Sequence, residues 1–562
     1  MNAFLKTHRL ALTPLSPIHI GCGEDFEPTN YVIVDGVLYG FDPSRAVLND
    51  AQRAKLSEAG NRASLLGIQR FFRENAQFFK VHADVLMPVS KGIADKYERD
   101  VGRAVNIEAN GNSVFNLFFI ERCSYTGERS VSYIPGSSFK GAIRTAWIDD
   151  LNDGKIPQDI QYKFNGEAKS STGLENRLVG DYKTSLLRLL KVADLMPAPQ
   201  CDPARGVLYA VNLKKKEVIK DGIEVTPKGI ATRKECILHG QYRAFVADAV
   251  LPLLGDHVDP KNTPAPDLRP TNFRNIARQA NAYNLTRLKR ELALLDGRGL
   301  VNPSWKQSIE KLLAGDLKAK LSNGDAFLIR LGRYGGADNK TLSGEGVAQI
   351  KIMGARGQKP TFESTTKTVW LAAENESERK HLLPFGWALV EIDPGEQEFG
   401  QLKSWCESQS SGRPDMGQLR KQFELEKARD LQRKSELAAE AATRELNRLA
   451  EIQMLEKRAE ELARMSPQAR SIEEWRQICQ DLEAKIVGGN FKKQNYSAGN
   501  PGPIYQEAAK LVRMALESGE WSSNDKAALA DTLEQWMPKV ITPWDAKDQR
   551  KKLKLAALRG TN

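Results

Sequence analysis

Tyr133-Ile134-Pro135-Gly136-Ser137-Ser138-Phe139-Lys140-Gly141-Ala142-Ile143-Arg144-Thr145-Ala146-Trp147 is the stretch from which the rest of the chain can be read. Pro135-Gly136 interrupts a strand-like run, and Ser137 or Ser138 offers the hydroxyl that caps a helix. Phe139, Ile143 and Ala146 fall at i, i+4 and i+7, one apolar face for a core. Lys140 and Arg144, also four apart, share another face near the helix start. Free N–H groups, the positive dipole end and two cations one turn apart suit a phosphate. Gly141 inside a helix costs about 1 kcal/mol against alanine, which predicts a close neighbour there. An amphipathic helix with two solvated cations fits the spacing equally well.

The chain of 562 residues is 41% apolar and 27% charged, enough for more than one domain. It has no apolar run of roughly eighteen residues, so no membrane span is expected. The opening Met1–Arg9 lacks the apolar segment of a signal peptide. Six cysteines (Cys22, Cys123, Cys201, Cys236, Cys406 and Cys479) form no Cys-x-x-Cys pair. That argues against zinc or a disulfide framework and points to a reducing cytoplasm. A net charge of +11 favours a polyanionic partner.

His8–Ile20 alternates like a strand and ends in Gly21-Cys22-Gly23. Glycines at a strand end permit a tight turn or a close approach of backbone to ligand. Tyr31–Gly40 reads as a hairpin about Asp35-Gly36, and helices follow to about residue 80. Residues 80–130 read as strand pieces. Pro197, Pro199 and Pro203 mark a domain boundary. Beyond it, Gly206–Leu213 and Lys234–Val246 read as strands. Helices over about 270–315 carry Arg274, Arg278, Arg287, Lys289 and Arg290, a basic face that solvation alone explains. Ala326–Leu331 then runs into Gly332-Arg333-Tyr334-Gly335-Gly336. Here the glycines let a backbone approach, Arg333 can meet phosphate and Tyr334 can stack on a base; a glycine-rich turn is the alternative. Phe362–Trp370 and Leu382–Ile392 read as closing strands. Gln401–Asp415 reads as a polar linker and Gln418–Met465 as one long helix. Its narrow stripe of Leu446, Leu449, Ile452, Leu455, Ala459 and Leu462 should bury against another helix or a partner. Ser471-x-x-Glu474 reads as a capping box, and helices near 503–518, 524–537 and 543–558 complete the chain.

Ile134–Thr145 resembles the signature of the RAMP superfamily of CRISPR-associated proteins, and His19-Ile20-Gly21-Cys22-Gly23 is similar to the motif closing that family's first strand. Glu363-Ser-Thr-Thr-Lys-Thr-Val-Trp370 before Leu383-Pro-Phe-Gly-Trp387 resembles, more narrowly, the fifth-subunit family of the type III-A (Csm) effector complex. The resemblance spans roughly residues 1–395. It implies an α+β fold of two ferredoxin-like (RRM-like) RAMP domains with helical insertions, 1–200 and 201–400. A linker, 401–417, and an all-α extension, 418–562, depart from the family. It further implies a cytoplasmic, non-catalytic subunit without cofactor or metal that binds CRISPR guide RNA at the 3′ end of the filament. Its partners would be the other effector subunits, above all the backbone RAMP subunit, and target RNA only indirectly. The RNA-binding residues carried over are His19, Gly21, Gly23, Gly136, Ser137, Ser138, Lys140, Arg144, Arg333, Tyr334, Gly335 and Gly336.

An enzyme would need catalytic groups. The chain has no His-Glu-x-x-His, P-loop or Gly-x-Ser-x-Gly elbow. His19 and His239, each alone in an expected strand, read as structural. Subunits of the superfamily that cut target RNA carry an aspartate about a dozen residues past the His-Ile-Gly motif. Asn30 stands near that place, and an amide cannot take a proton as a carboxylate can. Asp25 and Glu27 lie close by, so a RAMP endoribonuclease is one alternative; a scaffold recruiting partners through the helical tail is the other.

Overall fold

The first strand, Leu5–Pro14, passes from exposed to fully buried along its length, as a strand does on entering the middle of a sheet. It pairs antiparallel with Phe245–Pro252 on one side and Trp387–Ile392 on the other. Ala326–Arg330 extends this sheet beyond Trp387–Ile392, and Lys191–Val192 lies outside Phe245–Pro252. Trp387 and Leu389 enter one core, Ala388, Val390 and Ile392 the other. Both faces are covered, which is why this strand is almost unbrokenly apolar.

A second sheet runs in the order Gly21–Phe26, Ile120–Cys123, Thr232–Ile237, Arg205–Lys214, Thr368–Ala373, Leu383–Pro384. Val207, Tyr209, Val211 and Leu213 turn into the core that receives Trp387 and Leu389, so the two sheets share it. The helices Gly136–Asn152 and Phe273–Gly297 bring Phe139, Ile143, Trp147, Phe273 and Ile276 to the first sheet's other core. The computed structural model describes residues 4–62, 64–107, 113–127, 130–156, 172–199, 201–220, 223–224, 231–255, 258–354, 357–489, 491–497 and 499–561. Among these no helix is long and apolar enough to cross a membrane.

The chain is a mixture of helix and sheet, as expected, but its division differs. The segments 1–200 and 201–400 do not fold apart: each large sheet takes strands from both, because the N-terminal strand finds its neighbours in the second half. The compact units are Met1–Asp430 and Leu431–Asn562. Lys234–Val246 is not one strand. Thr232–Ile237 and Phe245–Pro252 belong to different sheets, and Arg243 turns the chain between them with a φ of +46°. The guanidinium of Arg243 then grips buried Glu391 at 2.9 and 3.0 Å. The expected linker is largely the helix Gly400–Ser410, whose Leu402, Trp405 and Cys406 enter the shared core. Its apolar residues, i, i+3 and i+4 apart, lie on one helical face, a pattern hidden among polar neighbours.

The helix Met416–Arg464 begins in the first unit, where Phe423 packs with Val32, Tyr39 and Phe71. Within the second unit its stripe stands in solvent: Leu446, Leu449, Ile452 and Leu455 are 67%, 46%, 40% and 63% exposed. The next helix, Pro467–Val487, is capped by Ser466, which accepts the Ala469 N–H, so Ser471 and Glu474 lie inside it. Trp475, Cys479, Ala508, Leu529, Leu533 and Met537 build that unit's core.

A chain ending at Asp430 keeps the first unit whole, whereas one ending at residue 399 loses Leu402, Trp405, Cys406 and Phe423 from its cores. Each such loss costs roughly 2–5 kcal/mol. Residues 1–430 should therefore melt cooperatively by circular dichroism, and residues 1–399 should not. Matching melts would show these helices to be dispensable.

Candidate nucleic-acid interface

Two links that cross between the two large sheets, and the loop that leaves a strand of the first, are bonded to one another. Residues 15–20 lead from Leu5–Pro14 to Gly21–Phe26, residues 331–336 leave Ala326–Arg330, and Phe385-Gly386 leads from Leu383–Pro384 to Trp387–Ile392. Leu331 N–H donates to the Gly386 carbonyl, and Gly386 N–H to the Pro17 carbonyl, both at 2.8 Å. Arg333 N–H donates to the His19 carbonyl at 2.9 Å. Gly332 has φ +77°, and a Cβ there would stand 2.2 Å from the His19 oxygen, so the crossing requires glycine.

His19 lies just outside the strands and is wholly buried. Its Nδ1 is 2.7 Å from the Glu235 carbonyl. A carbonyl only accepts, so Nδ1 carries the proton and Nε2 is bare. Nε2 has no hydrogen-bond partner among the described residues and stands 3.8 Å from Glu121 Oε1. Burial lowers the His19 pKa against the pull of Glu235 and Glu121, which keeps the ring neutral at pH 7. His19 therefore supports the links and presents no side chain to solvent.

Glu121 joins the charges around this crossing. One carboxylate oxygen pairs with Arg333, the other with Lys234. Burial works to raise the Glu121 pKa, but the Lys234 hydrogen bond and charge, with His19 and Arg333, carry it below the ordinary value. A Cβ on Gly21 would stand 3.0 Å from Glu121 Oε1. The Tyr334 ring is already engaged, with centroids 5.2 Å from Trp370, 5.2 Å from Phe385 and 5.9 Å from His19. The expected free stacking face is thus largely occupied. Gly335 and Gly336 line a groove together with Tyr334 and Trp370, while Gly23 opens on a separate cavity with Asp25 and Glu121.

The helix Gly136–Asn152 has no side-chain cap, and Ser137 and Ser138 lie in its first turn. Gly136 N–H donates instead to the Asp194 carboxylate at 2.7 Å. The close approach falls at Gly136, where a Cβ would meet the Val192 carbonyl at 2.7 Å; Gly141 faces open space. Arg144 is ion-paired with Glu175. Lys140 has no ion-pair partner among the described residues. It shares a cavity of about 380 Å³ with Ser137 and Lys191, and burial, then the charge of Lys191, lowers its pKa. Asp248, the carboxylate lining that cavity, is 3.0 Å from Arg9. Of the twelve sequence-derived residues, His19, Gly21, Arg333 and Tyr334 meet at the crossing, whereas Gly136, Ser137 and Lys140 line a different cavity.

Asn30 closes a turn by accepting the Glu27 N–H at 2.9 Å, and Asp25 and Glu27 are exposed. Among the described residues no group of His, Cys, Asp and Glu side chains is placed to hold a metal ion. His239, expected within a strand, lies past the end of Thr232–Ile237 and is half-buried beside Arg413; desolvation followed by that charge brings its pKa down to about 3. Sequence reasoning missed Glu121, Lys234 and Lys191. A charged residue inside a strand-forming apolar run was the available signal for the first two.

Residues 125–255 match the RAMP superfamily model. "CRISPR system Cms protein Csm5" of Methanocaldococcus jannaschii is 24% identical over 339 residues, 58% of this chain and 71% of that protein. A chain in the cryo-EM structure of a Csm–crRNA–target RNA ternary complex of a type III-A CRISPR-Cas system aligns with a TM-score of 0.42. It has 17% identity, over 69% of this chain and all of that one. The crystal structure of T. onnurineus Csm5 aligns with a TM-score of 0.36 and 15% identity, over 68% of this chain and 99% of that one.

Because the Glu121 pKa is depressed, its contribution to stability is present above the ordinary value of 4.5 and lost as pH falls through the lower folded value. Glu121→Gln should therefore lower the melting temperature at pH 7, with the gap to the parent closing below pH 4.5. A gap constant across that range would place the loss elsewhere than in the carboxylate charge.

Proposed function

We propose that this chain, a RAMP-superfamily protein similar to Csm5, is a non-catalytic subunit of a type III-A CRISPR effector that binds guide RNA and caps its 3′ end in the filament. The two large sheets are read as two ferredoxin-like bodies that exchange strands. The observation carrying the reading is the meeting of the two carried-over glycine motifs: Arg333 pairs with the Glu121 carboxylate, and Gly21 lies beside it, where an added Cβ would stand 3.0 Å from Oε1. Glycine-bearing links of this kind let a nucleic-acid backbone approach the main chain, and cations beside them meet phosphate without reading sequence. Lys140 and Lys191 supply a second cationic position, while His19 acts by positioning the links. Neighbouring effector subunits, with the backbone RAMP subunit foremost, are the proposed protein partners.

The absence of catalysis is argued from Asn30, whose amide is engaged in its own turn and supplies no general base. Asp25→Ala and Glu27→Ala should leave target cleavage by an assembled effector unchanged. Loss of cleavage at particular target positions, with assembly intact, would identify a ribonuclease instead. The deciding experiment is co-purification of the full chain with its RNA and partners, followed by sequencing of the RNA. Guide 3′ ends with effector subunits support the proposal; partners held by residues 431–562 without RNA would favour a scaffold.

Lys140 and Arg144 separate phosphate contact from structural charge. Lys140→Ala should lower the salt slope of RNA binding by about 0.7, the value for one phosphate on a single strand. Arg144→Ala should leave it unchanged, since Glu175 already holds that guanidinium. The reverse pattern would show that the Glu175 pair opens for RNA.

A further inference from the structure

The Glu363–Trp370 motif, which above serves only to recognise a family, forms one wall of a groove of about 710 Å³. Opposite stand Arg287 and Arg290 of the helix Phe273–Gly297, the Lys214–Lys216 turn and the Tyr334–Gly336 loop. Seven cations and three carboxylates line it. Every one of those carboxylates is matched: Glu291 to Arg330 at 2.8 Å, Asp338 to Lys215 at 2.7 Å and Glu363 to Lys367 at 3.1 Å. Asp338 also accepts the Thr366 N–H at 3.0 Å, which ties the motif to the loop following Gly336. Arg287 donates to the Thr341 carbonyl at 2.8 Å and the Ser343 hydroxyl at 3.1 Å. Lys214, Lys216 and Arg290 have no ion-pair partner among the described residues.

We infer, resting on the RNA-binding reading above, that this groove is a phosphate track for single-stranded RNA in which Lys214, Lys216 and Arg290 each meet a backbone phosphate. Three unmatched cations in one groove attract a polyanion. Ser364 and Thr365, both exposed on the wall, add hydroxyls for phosphate and sugar oxygens. The part-buried rings of Tyr334 and Trp370 give the groove the aromatic back that single-strand sites combine with a basic path.

The test uses the full chain, a fluorescent oligouridylate and binding across a salt series. Lys214→Gln/Lys216→Gln/Arg290→Gln should weaken binding at least tenfold and lower the salt slope by about 2, three phosphates at about 0.7 each. Lys214→Glu/Lys216→Glu/Arg290→Glu should weaken it further. Lys289→Gln/Lys318→Gln, on a different groove, should leave both quantities unchanged, with melting curves confirming that all variants fold. RNA binding that survives the triple substitutions with an unchanged slope overturns the track and leaves the proposed function standing. No RNA binding by the parent overturns both. Displacement of the oligouridylate by polyglutamate at equal charge, lost in the triple variant, would assign the groove to an acidic polypeptide.

Discussion

Glu235 has no contact with solvent, yet four groups depend on it. Its carboxylate accepts from the Arg205 guanidinium at 2.8 Å and the Cys123 N–H at 3.0 Å. Its backbone carbonyl accepts from His19 Nδ1 at 2.7 Å and Cys123 Sγ at 3.1 Å. Arg205 is itself buried and also donates to the Ser130 carbonyl at 2.6 Å. A buried ion pair gains little over a well-packed apolar substitute, but loss of one partner leaves a charge without solvent, at about 3–5 kcal/mol. What such a pair supplies here is placement. It fixes the position of His19, and the His19 carbonyl fixes Arg333. The path from core to surface thus runs through identifiable bonds and not through general compactness.

The exchange of strands between sheets follows from the same geometry. A chain that built one sheet before starting the next would need few crossings. Here Leu5–Pro14 must lie between strands from the second half of the chain, so links repeatedly pass from one sheet to the other. Such links leave the hydrogen-bond ladders and must satisfy their backbone groups elsewhere. They do so on each other, through Pro17, His19, Leu331, Arg333 and Gly386. Close backbone packing then excludes side chains at Gly332 and Gly386, whose Cβ atoms would stand 2.2 and 2.3 Å from carbonyl oxygens. Glycine at these positions is required by the crossing itself, whatever ligand approaches.

Local signals in the sequence carried much of this. The apolar spacing of Phe139, Ile143 and Ala146 did place those residues in a core, and Asp35-Gly36 did turn a hairpin. Pairing between distant strands was not legible, because a strand's alternation says which residues are buried but not which strand lies beside it. Lys234–Val246 shows the limit. Its apolar pattern continues across Gly240, while the backbone there turns from one sheet to the other. The Gly400–Ser410 helix shows another: its few buried residues are diluted by glutamine, serine and lysine, so composition resembles a linker where spacing indicates a helix.

The same limit governs charge. The net charge of +11 does not say which cations are available to a ligand, because availability depends on carboxylates that folding brings near. Arg144 and Arg333, two of the three cations that the motifs single out, are both paired, to Glu175 and Glu121. Those carboxylates are 31 and 212 residues away. Lys140, by contrast, has a second lysine beside it and a depressed pKa, so an approaching anion would relieve a repulsion already present. Lys214, Lys216 and Arg290 share a groove whose carboxylates are all engaged by other cations. A phosphate arriving at Arg333 must compete with Glu121, whereas one arriving at Lys140 or Arg290 displaces only water. Pairing, not the number of basic residues, therefore ranks the cations as ligands for a polyanion, and it shifts the weight from Arg144 and Arg333 to Lys140 and to Lys214, Lys216 and Arg290, of which the motifs mark only the first.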